Sequence, residues 1–315
     1  MNSFVFTLNA VMPLFLLVML GYILKRIGMF SDEWLTVANR FSFLVTLSVM
    51  MFDNIYSAES DFNFDTKLIA FAVLCLVTVT ALSFAIVPLI VKERFKTGVV
   101  IQGIFRSNFL LFGIPLVINM FGDESKPLIS LVIAIIIPLY NIFAVLTLTV
   151  FNKNSTGKLN IRKLFLGLIT NPLIMGCLIG FIFRMLPFRL PLFVDNTLGQ
   201  ISDLAVPLAL IILGAQFKFS GFVRNIKIVV STVFLKLVAV PVLVIVLAVA
   251  LGLRGVQLGV LIAMFSSPGA VSSSIMAYNM NCDGDLAGQI VVLGTAVSVF
   301  TMFITIFSLR TMSLL

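Results

Sequence analysis

The chain has 315 residues, 60% of them hydrophobic and 11% charged, with 21 Lys and Arg against 13 Asp and Glu and no His. A soluble domain carries about 25% charged residues, so the composition excludes a water-soluble globular fold and predicts an all-α polytopic membrane protein. The absence of His argues against zinc proteases and His-activated nucleophiles. The basic surplus lies in short loops between apolar runs, which is a topology signal rather than a nucleic-acid surface.

Runs of about 20 apolar residues match a hydrocarbon core roughly 30 Å thick. Ten are predicted, at 8–27, 37–57, 68–91, 98–120, 127–151, 165–186, 201–217, 226–251, 255–280 and 286–309. The first is a retained span and not a signal peptide. It has no basic leading region, Pro13 and Gly21 interrupt it, and Lys25 and Arg26 follow it without a small-residue cleavage site. The second and seventh runs are the least apolar, with Asp53 near the end of one and Asp203 beside the start of the other. Cys75 and Cys177 lie inside apolar runs as small packing residues, and with Cys282 they form no disulfide framework.

Lys and Arg set the expected orientation. With the N-terminus outside, the loops after odd-numbered spans hold thirteen basic residues and the opposite side holds six; Arg106 and Lys236, inside spans, complete the 21. Both termini are therefore expected on the non-cytoplasmic side. The polar, basic-ended stretch "NKNSTGKLNIRK" from Asn152 reads as a cytoplasmic linker, 152–164, between two five-span units, 1–151 and 165–315. An odd number of spans per unit inserts similar halves in opposite directions, an arrangement that many secondary carriers use. "NAVMPLFLLVMLGYILKRIGMF" from Asn9 can be set beside "TNPLIMGCLIGFIFRMLPF" from Thr170, and Gly-Val precedes both the fourth and the ninth span.

Each of those two spans carries a break. In "RSNFLLFGIPLVI" from Arg106, Pro115 lacks an amide hydrogen and clashes with the preceding turn, while Gly113 removes bulk beside it. In "FSSPGAVSSSIMAYN" from Phe265, Pro268 and Gly269 stand among five Ser, including Ser272 and Ser273. Irregular backbone at membrane depth must be buried in protein or line a cavity. A lone proline is a kink and serines can fold back on their own helix, but two breaks at corresponding places predict a binding or crossover region.

Arg106 lies seven residues before Gly113, about 10 Å along a helix. A guanidinium at membrane depth costs roughly 2.5–3.5 kcal/mol on insertion scales. It either snorkels or pairs structurally, or it draws an anion into a cavity. Asn108 and, in "PLYNIF", Asn141 beside Tyr140 are further polar groups that either bind solute or bridge helices. Lys236 reads as a snorkelling scaffold residue. Asp53, Asp203, Asp283 and Asp285 are candidate coupling carboxylates or simple caps and loop charges.

The segments "PLFLLVMLGYILKRIGMF", "RSNFLLFGIPL", "PLYNIF", "DLAVPLALIILGAQF" and "KLVAVP", with the Pro268 break, resemble the auxin efflux carrier family, which includes bacterial malate and malonate transporters. The resemblance covers essentially the whole chain. It implies ten spans in two inverted five-helix repeats with proline-broken crossover helices at Pro115 and Pro268. It also implies a scaffold of spans 1, 2, 6 and 7, through which homodimers form, and a transport domain of spans 3–5 and 8–10. Asn108, Asn141 and nearby Ser would then adjoin the substrate site in an elevator-like carrier of small organic anions, with a possible coupled proton or sodium ion. No cofactor is implied, and the location would be a bacterial inner membrane. Two departures stand out. Leu47 and Ser48 occupy the place of a second-span proline, so no kink is expected there, and "SSPGAVSSS" replaces a Pro-rich, Asn-containing motif, which leaves the substrate open. The absence of a long central loop removes any implication of plant auxin transport. The alternatives to a carrier are a channel, a solute-binding receptor and, less favoured for want of a nucleophile–base pair, an intramembrane enzyme.

Overall fold

A computed structural model of the chain describes residues 13, 16–57, 65–122, 125–153, 166, 170–186, 189–217 and 219–315. Every regular element among them is helical. In chain order these are α1 (16–26), α2 (Asp32–Tyr56), α3 (Thr66–Ile90), α4 (Arg94–Phe105), α5 (Ile114–Phe121), α6 (Lys126–Phe151), α7 (Pro172–Met185) and α8 (Leu192–Gln216). They continue with α9 (219–250), α10 (Gly255–Ser266), α11 (Ser272–Asn279) and α12 (Gly284–Thr311). Among the described residues, α2, α3, α6, α8, α9 and α12 are long and apolar enough to cross a membrane, and α7 and α10 are shorter apolar helices. The protein is an all-α polytopic membrane protein.

Side-chain caps start several helices where the apolar runs begin. The Ser31 hydroxyl accepts from Trp34 N, the Asp65 carboxylate from Leu68 N, the Asn171 amide oxygen from Leu173 N and the Asp283 carboxylate from Leu286 N. Each satisfies an amide that the helix itself leaves open. The cap at Ser31 moves the start of α2 upstream of residue 37. The seventh predicted run is also too short, because α8 starts at Leu192 and carries Asp195, Asn196 and Gln200 in its first turns. The linker at 152–164 lies largely outside the described residues, whereas most of the sixth run is described and forms α7.

Two pairs of helices meet through glycine. Gly21 on α1 sits against the Ile211 carbonyl of α8, and Gly180 on α7 sits against Phe52 on α2 with its would-be Cβ 2.6 Å from the carbonyl oxygen. Gly214 and Gly176 make the companion contacts, on Val18 and Ser48. Small residues let backbones approach closely where lipid gives no hydrophobic drive to association. The two contacts share one register, since residues 21 and 180 are 159 apart, and so are 52 and 211.

The interrupted segments repeat in the same way. α4 and α10 are 12 residues long, and α5 and α11 are 8. Residues 97–105 of α4 and 258–266 of α10 are buried on every side, as expected of helices at the centre of a bundle. Loops gather at two ends. Asp283 N donates to Phe95 O at 3.2 Å and Lys153 N to Asn281 O at 3.1 Å, joining the starts of α4 and α12 to the end of α6. At other element ends, Lys67 Nζ donates to Leu251 O at 2.7 Å and Gly255 N to Leu314 O at 3.0 Å.

The backbone is irregular at three further places, each a π turn: Ser42–Thr46 in α2, Phe109–Gly113 before α5 and Leu235–Ala239 in α9. The first lies just ahead of Leu47, so α2 carries a local irregularity although the proline that the resemblance would place there is missing. Such turns are rare and often stand at functional sites.

Candidate functional site

α4 ends one residue before Arg106, whose backbone is extended (φ −78°, ψ 131°). The helix therefore stops at Arg106–Asn108, well before Gly113 and Pro115. Pro115 is the second residue of α5, directly after the Phe109–Gly113 π turn, where the regular helical hydrogen-bond ladder is already replaced and a residue without an amide hydrogen is tolerated. The break expected at Pro115 is thus displaced upstream, and Pro115 begins the second half-helix. Gly113 packs toward the Phe109 ring and the Ala263 methyl. The second break falls where the sequence places it, at Ser267–Val271 around Pro268 and Gly269.

The two breaks meet. Asn108 N donates to Pro268 O at 2.8 Å, and the Ser107 hydroxyl donates to Ser267 O at 3.1 Å. Ser267 Oγ in turn donates to Ala263 O, and Tyr140 Oη to Met264 O at 3.3 Å. Carbonyls freed at the end of α10 thus find donors in the break after α4 and on α6, which irregular backbone in a bilayer requires.

Arg106 is 3% exposed and does not snorkel. Its Nη2 donates to Asn141 Oδ1 and to Ser272 Oγ, both at 2.9 Å, and its Nη1 lies against Met276 Sδ. The Asn141 amide nitrogen donates to Ile137 O at 3.1 Å and lies 3.0 Å from Met51 Sδ. One guanidinium therefore ties α6 and α11 to the α4 break. None of its partners is a carboxylate: the ion pairs among the described residues are Lys25–Asp32 and Lys96–Glu93. Among the described residues the charge is held by neutral dipoles alone.

A cavity of about 50 Å3 opens beside it. Arg106, Ser107, Asn108, Tyr140, Asn141 and Ser272 supply its polar wall, and Met50, Met51, Phe109, Ile137, Val206 and Ala270 supply thioether and aliphatic surface. Asn54 completes the lining, and its Nδ2 is buried without a hydrogen-bond partner among the described residues. Five of the expected site residues, Arg106, Asn108, Tyr140, Asn141 and Ser272, come together here. Gly113, Pro268, Gly269 and Ser273 lie at or beside the breaks and are not among the lining residues, and Pro115 stands in α5, after the first break. Sequence reasoning passed over Asn54 and Ser107. Ser107 sits inside the quoted Arg106 segment, but Asn54 follows Asp53 at a span end, where a polar residue carries no signal.

The acidic candidates stand away from this cavity. Asp283 caps α12, Asp285 accepts from the Tyr278 hydroxyl, and Asp53 accepts from Ser57 Oγ at 3.0 Å. Asp53 and Asp203 share a separate polar cavity with Asp195. Lys236 does not snorkel either. It is 2% exposed on the π turn of α9, and its Nζ has no hydrogen-bond partner among the described residues. Among the described residues no cluster of His, Cys, Asp and Glu can hold a metal.

Comparison with known proteins places this chain in a family. The family model described as "Membrane transport protein" matches residues 6–306. An uncharacterized transporter of Methanothermobacter thermautotrophicus is 27% identical over 301 residues, covering 93% of this chain and 95% of the relative. An uncharacterized transporter of Methanocaldococcus jannaschii is 22% identical over 307 residues, with 94% and 96% covered. The chain belongs to the Membrane transport protein family, a transporter and not an enzyme.

Proposed function

We propose that the protein is a secondary active carrier of a small organic anion, bound at the crossing of the two broken helices. The observation that carries this is the buried Arg106 guanidinium, which faces a cavity and has no carboxylate partner among the described residues. A buried charge without a counter-ion is costly, and a carboxylate in the cavity supplies the missing charge in a geometry that suits the planar fork. The amino end of α11 at Ser272 adds partial positive charge on the same side.

Alternating access would follow from two inverted halves. The common 159-residue register of the glycine contacts and the matched 12- and 8-residue half-helices support a ten-span inverted repeat. The cavity lies between α2 and α8 on one side and α4, α6 and α11 on the other. A transport domain of the interrupted bundle would move in an elevator-like manner against a scaffold built from α1, α2, α7 and α8, which would pair with a second copy as in auxin efflux carriers. The thirteen-to-six distribution of basic residues supports an orientation with both termini on the non-cytoplasmic side of the cell membrane.

The test is reconstitution into proteoliposomes with labelled mono- and dicarboxylates under imposed proton and sodium gradients. Saturable, gradient-dependent counterflow is expected. Currents far above carrier turnover would instead make the protein a channel, and saturable binding without translocation would make it a receptor.

A further inference from the structure

The cavity beside Arg106 has two walls. The α4 break with α6 and α11 carries the guanidinium, and α2 with α8 faces it through Met50, Met51, Asn54 and Val206. Among the described residues, Asn54 is the one polar side chain on that second wall. It shares a face of α2 with Met50 and Met51, because residues four apart on a helix stand one above the other. Met51 spans the gap: its sulfur lies 3.0 Å from Asn141 Nδ2, and Asn141 Oδ1 accepts from Arg106 Nη2 at 2.9 Å. Asn54 follows three residues later, about 4.5 Å along the helix, so its amide and the guanidinium border one small volume of about 50 Å3.

Donors on the first wall are taken up by the protein. The Ser107 hydroxyl donates to Ser267 O at 3.1 Å, the Tyr140 hydroxyl to Met264 O at 3.3 Å and the Asn141 amide to Ile137 O at 3.1 Å. Asn54 differs, since its Nδ2 is buried and has no hydrogen-bond partner among the described residues. A buried donor left unpaired costs free energy that an acceptor recovers, and the side chains beside it offer at best a weak thioether. No hydrogen bond at the nitrogen pins the amide. A half-turn about χ2, which is broad and two-fold for Asn, presents that nitrogen to a solute.

We propose that Asn54 determines specificity at this cavity, donating to a neutral oxygen acceptor on a short monocarboxylate whose carboxylate Arg106 holds. The inference rests on the anion reading of the same cavity and names the class of anion, an oxo acid in preference to an unsubstituted alkanoate. A solute with a carboxylate alone leaves the Asn54 nitrogen unpaired. A donor group on the solute leaves it unpaired as well, because an amide nitrogen does not accept. A keto oxygen satisfies it. A site built to hydrogen-bond one group of its ligand rejects analogues that lack it more strongly than an apolar pocket sorts them by size.

The experiment is thermal unfolding of the detergent-purified full chain, titrated separately with pyruvate, acetoacetate, propionate and butyrate. The two oxo acids place the keto oxygen one carbon apart and match the two alkanoates in chain length. Half-maximal stabilisation of the parent is expected at about tenfold lower concentration of at least one oxo acid than of its matched alkanoate. In N54L and N54A that ratio should fall to parity. It is read within each variant, so a general loss of stability does not imitate it, and N54A keeps the test valid if N54L does not fold. R106Q should lose the response to all of the acids. Parity in the parent, an unchanged ratio in both Asn54 variants, or an oxo-acid response that survives R106Q overturns the proposal. The absence of any response overturns both it and the anion reading. An oxo-acid preference that depends on Asn54, in a protein that shows no counterflow in proteoliposomes, supports the assignment and overturns the carrier reading alone.

Discussion

Asn108 N donates a hydrogen bond to Pro268 O at 2.8 Å, joining two residues 160 positions apart at the point where both of their helices are interrupted. Proline leaves its own amide unavailable but keeps its carbonyl, and the extended backbone at Arg106–Asn108 turns an amide toward that carbonyl. Each break thus satisfies part of the other, and Arg106 is left at the crossing with its side chain free to reach α6 and α11.

Replacement of Arg106 by Gln should weaken anion uptake while leaving insertion intact. Hydrogen bonds to a charged group are worth about 1.5–3 kcal/mol, so apparent affinity should fall about tenfold or more. R106K keeps the charge but not the fork to Asn141 and Ser272, and should fall between the two. Counterflow kinetics measure the effect, and a monodisperse detergent profile checks the fold.

The two prolines should behave differently. Pro268→Ala restores an amide in a segment that has no helical partner for it and relaxes the break, so exchange should slow. Pro115→Ala acts inside the first turn of α5, where proline is already tolerated, and exchange should change little. Equal slowing in both variants would place the functional break at Pro115 after all.

Gly180→Val and Gly21→Val should destabilise the protein to a similar degree, because each forces a branched side chain against a facing backbone. Overpacking of this kind costs about 1–3 kcal/mol. Thermal unfolding in detergent reads it, and a large loss in one variant with none in the other would break the equivalence of the two contacts.

The cavity should prefer monocarboxylates to dicarboxylates. Arg106 is the only cation in its lining among the described residues, and much of the remaining wall is thioether and aliphatic. A second carboxylate would lose water without gaining a charged partner, a penalty above about 1–3 kcal/mol. Malonate should therefore compete about tenfold or more less well than a monocarboxylate of similar size. Competition in the proteoliposome assay decides the point.

Lys236→Met should raise the melting temperature. The amine is buried without a hydrogen-bond partner among the described residues, and an unpaired buried polar group costs more than an apolar side chain of similar length. A lower melting temperature would mean that Lys236 has a partner that pays for its burial.

By itself, the sequence determined membrane residence, the apolar runs, the two interrupted segments and most of the polar residues at the crossing. These are local properties: twenty apolar residues demand lipid wherever they stand, and a charge or an amide inside such a run is conspicuous. It misplaced the first break because Pro115 is the local helix breaker, whereas the interruption at Arg106–Asn108 contains none and is held open by Ser267 and Pro268 from the other half of the chain. It shortened α8 because Asp195, Asn196 and Gln200 look like loop, although they line or border a polar cavity on a continuous helix. Asn54 and the partners of Arg106 became visible only once α2, α6 and α11 were brought around one cavity. Tertiary structure alone decided these features, because hydrogen bonds between segments more than a hundred residues apart override the preferences of the residues at either end.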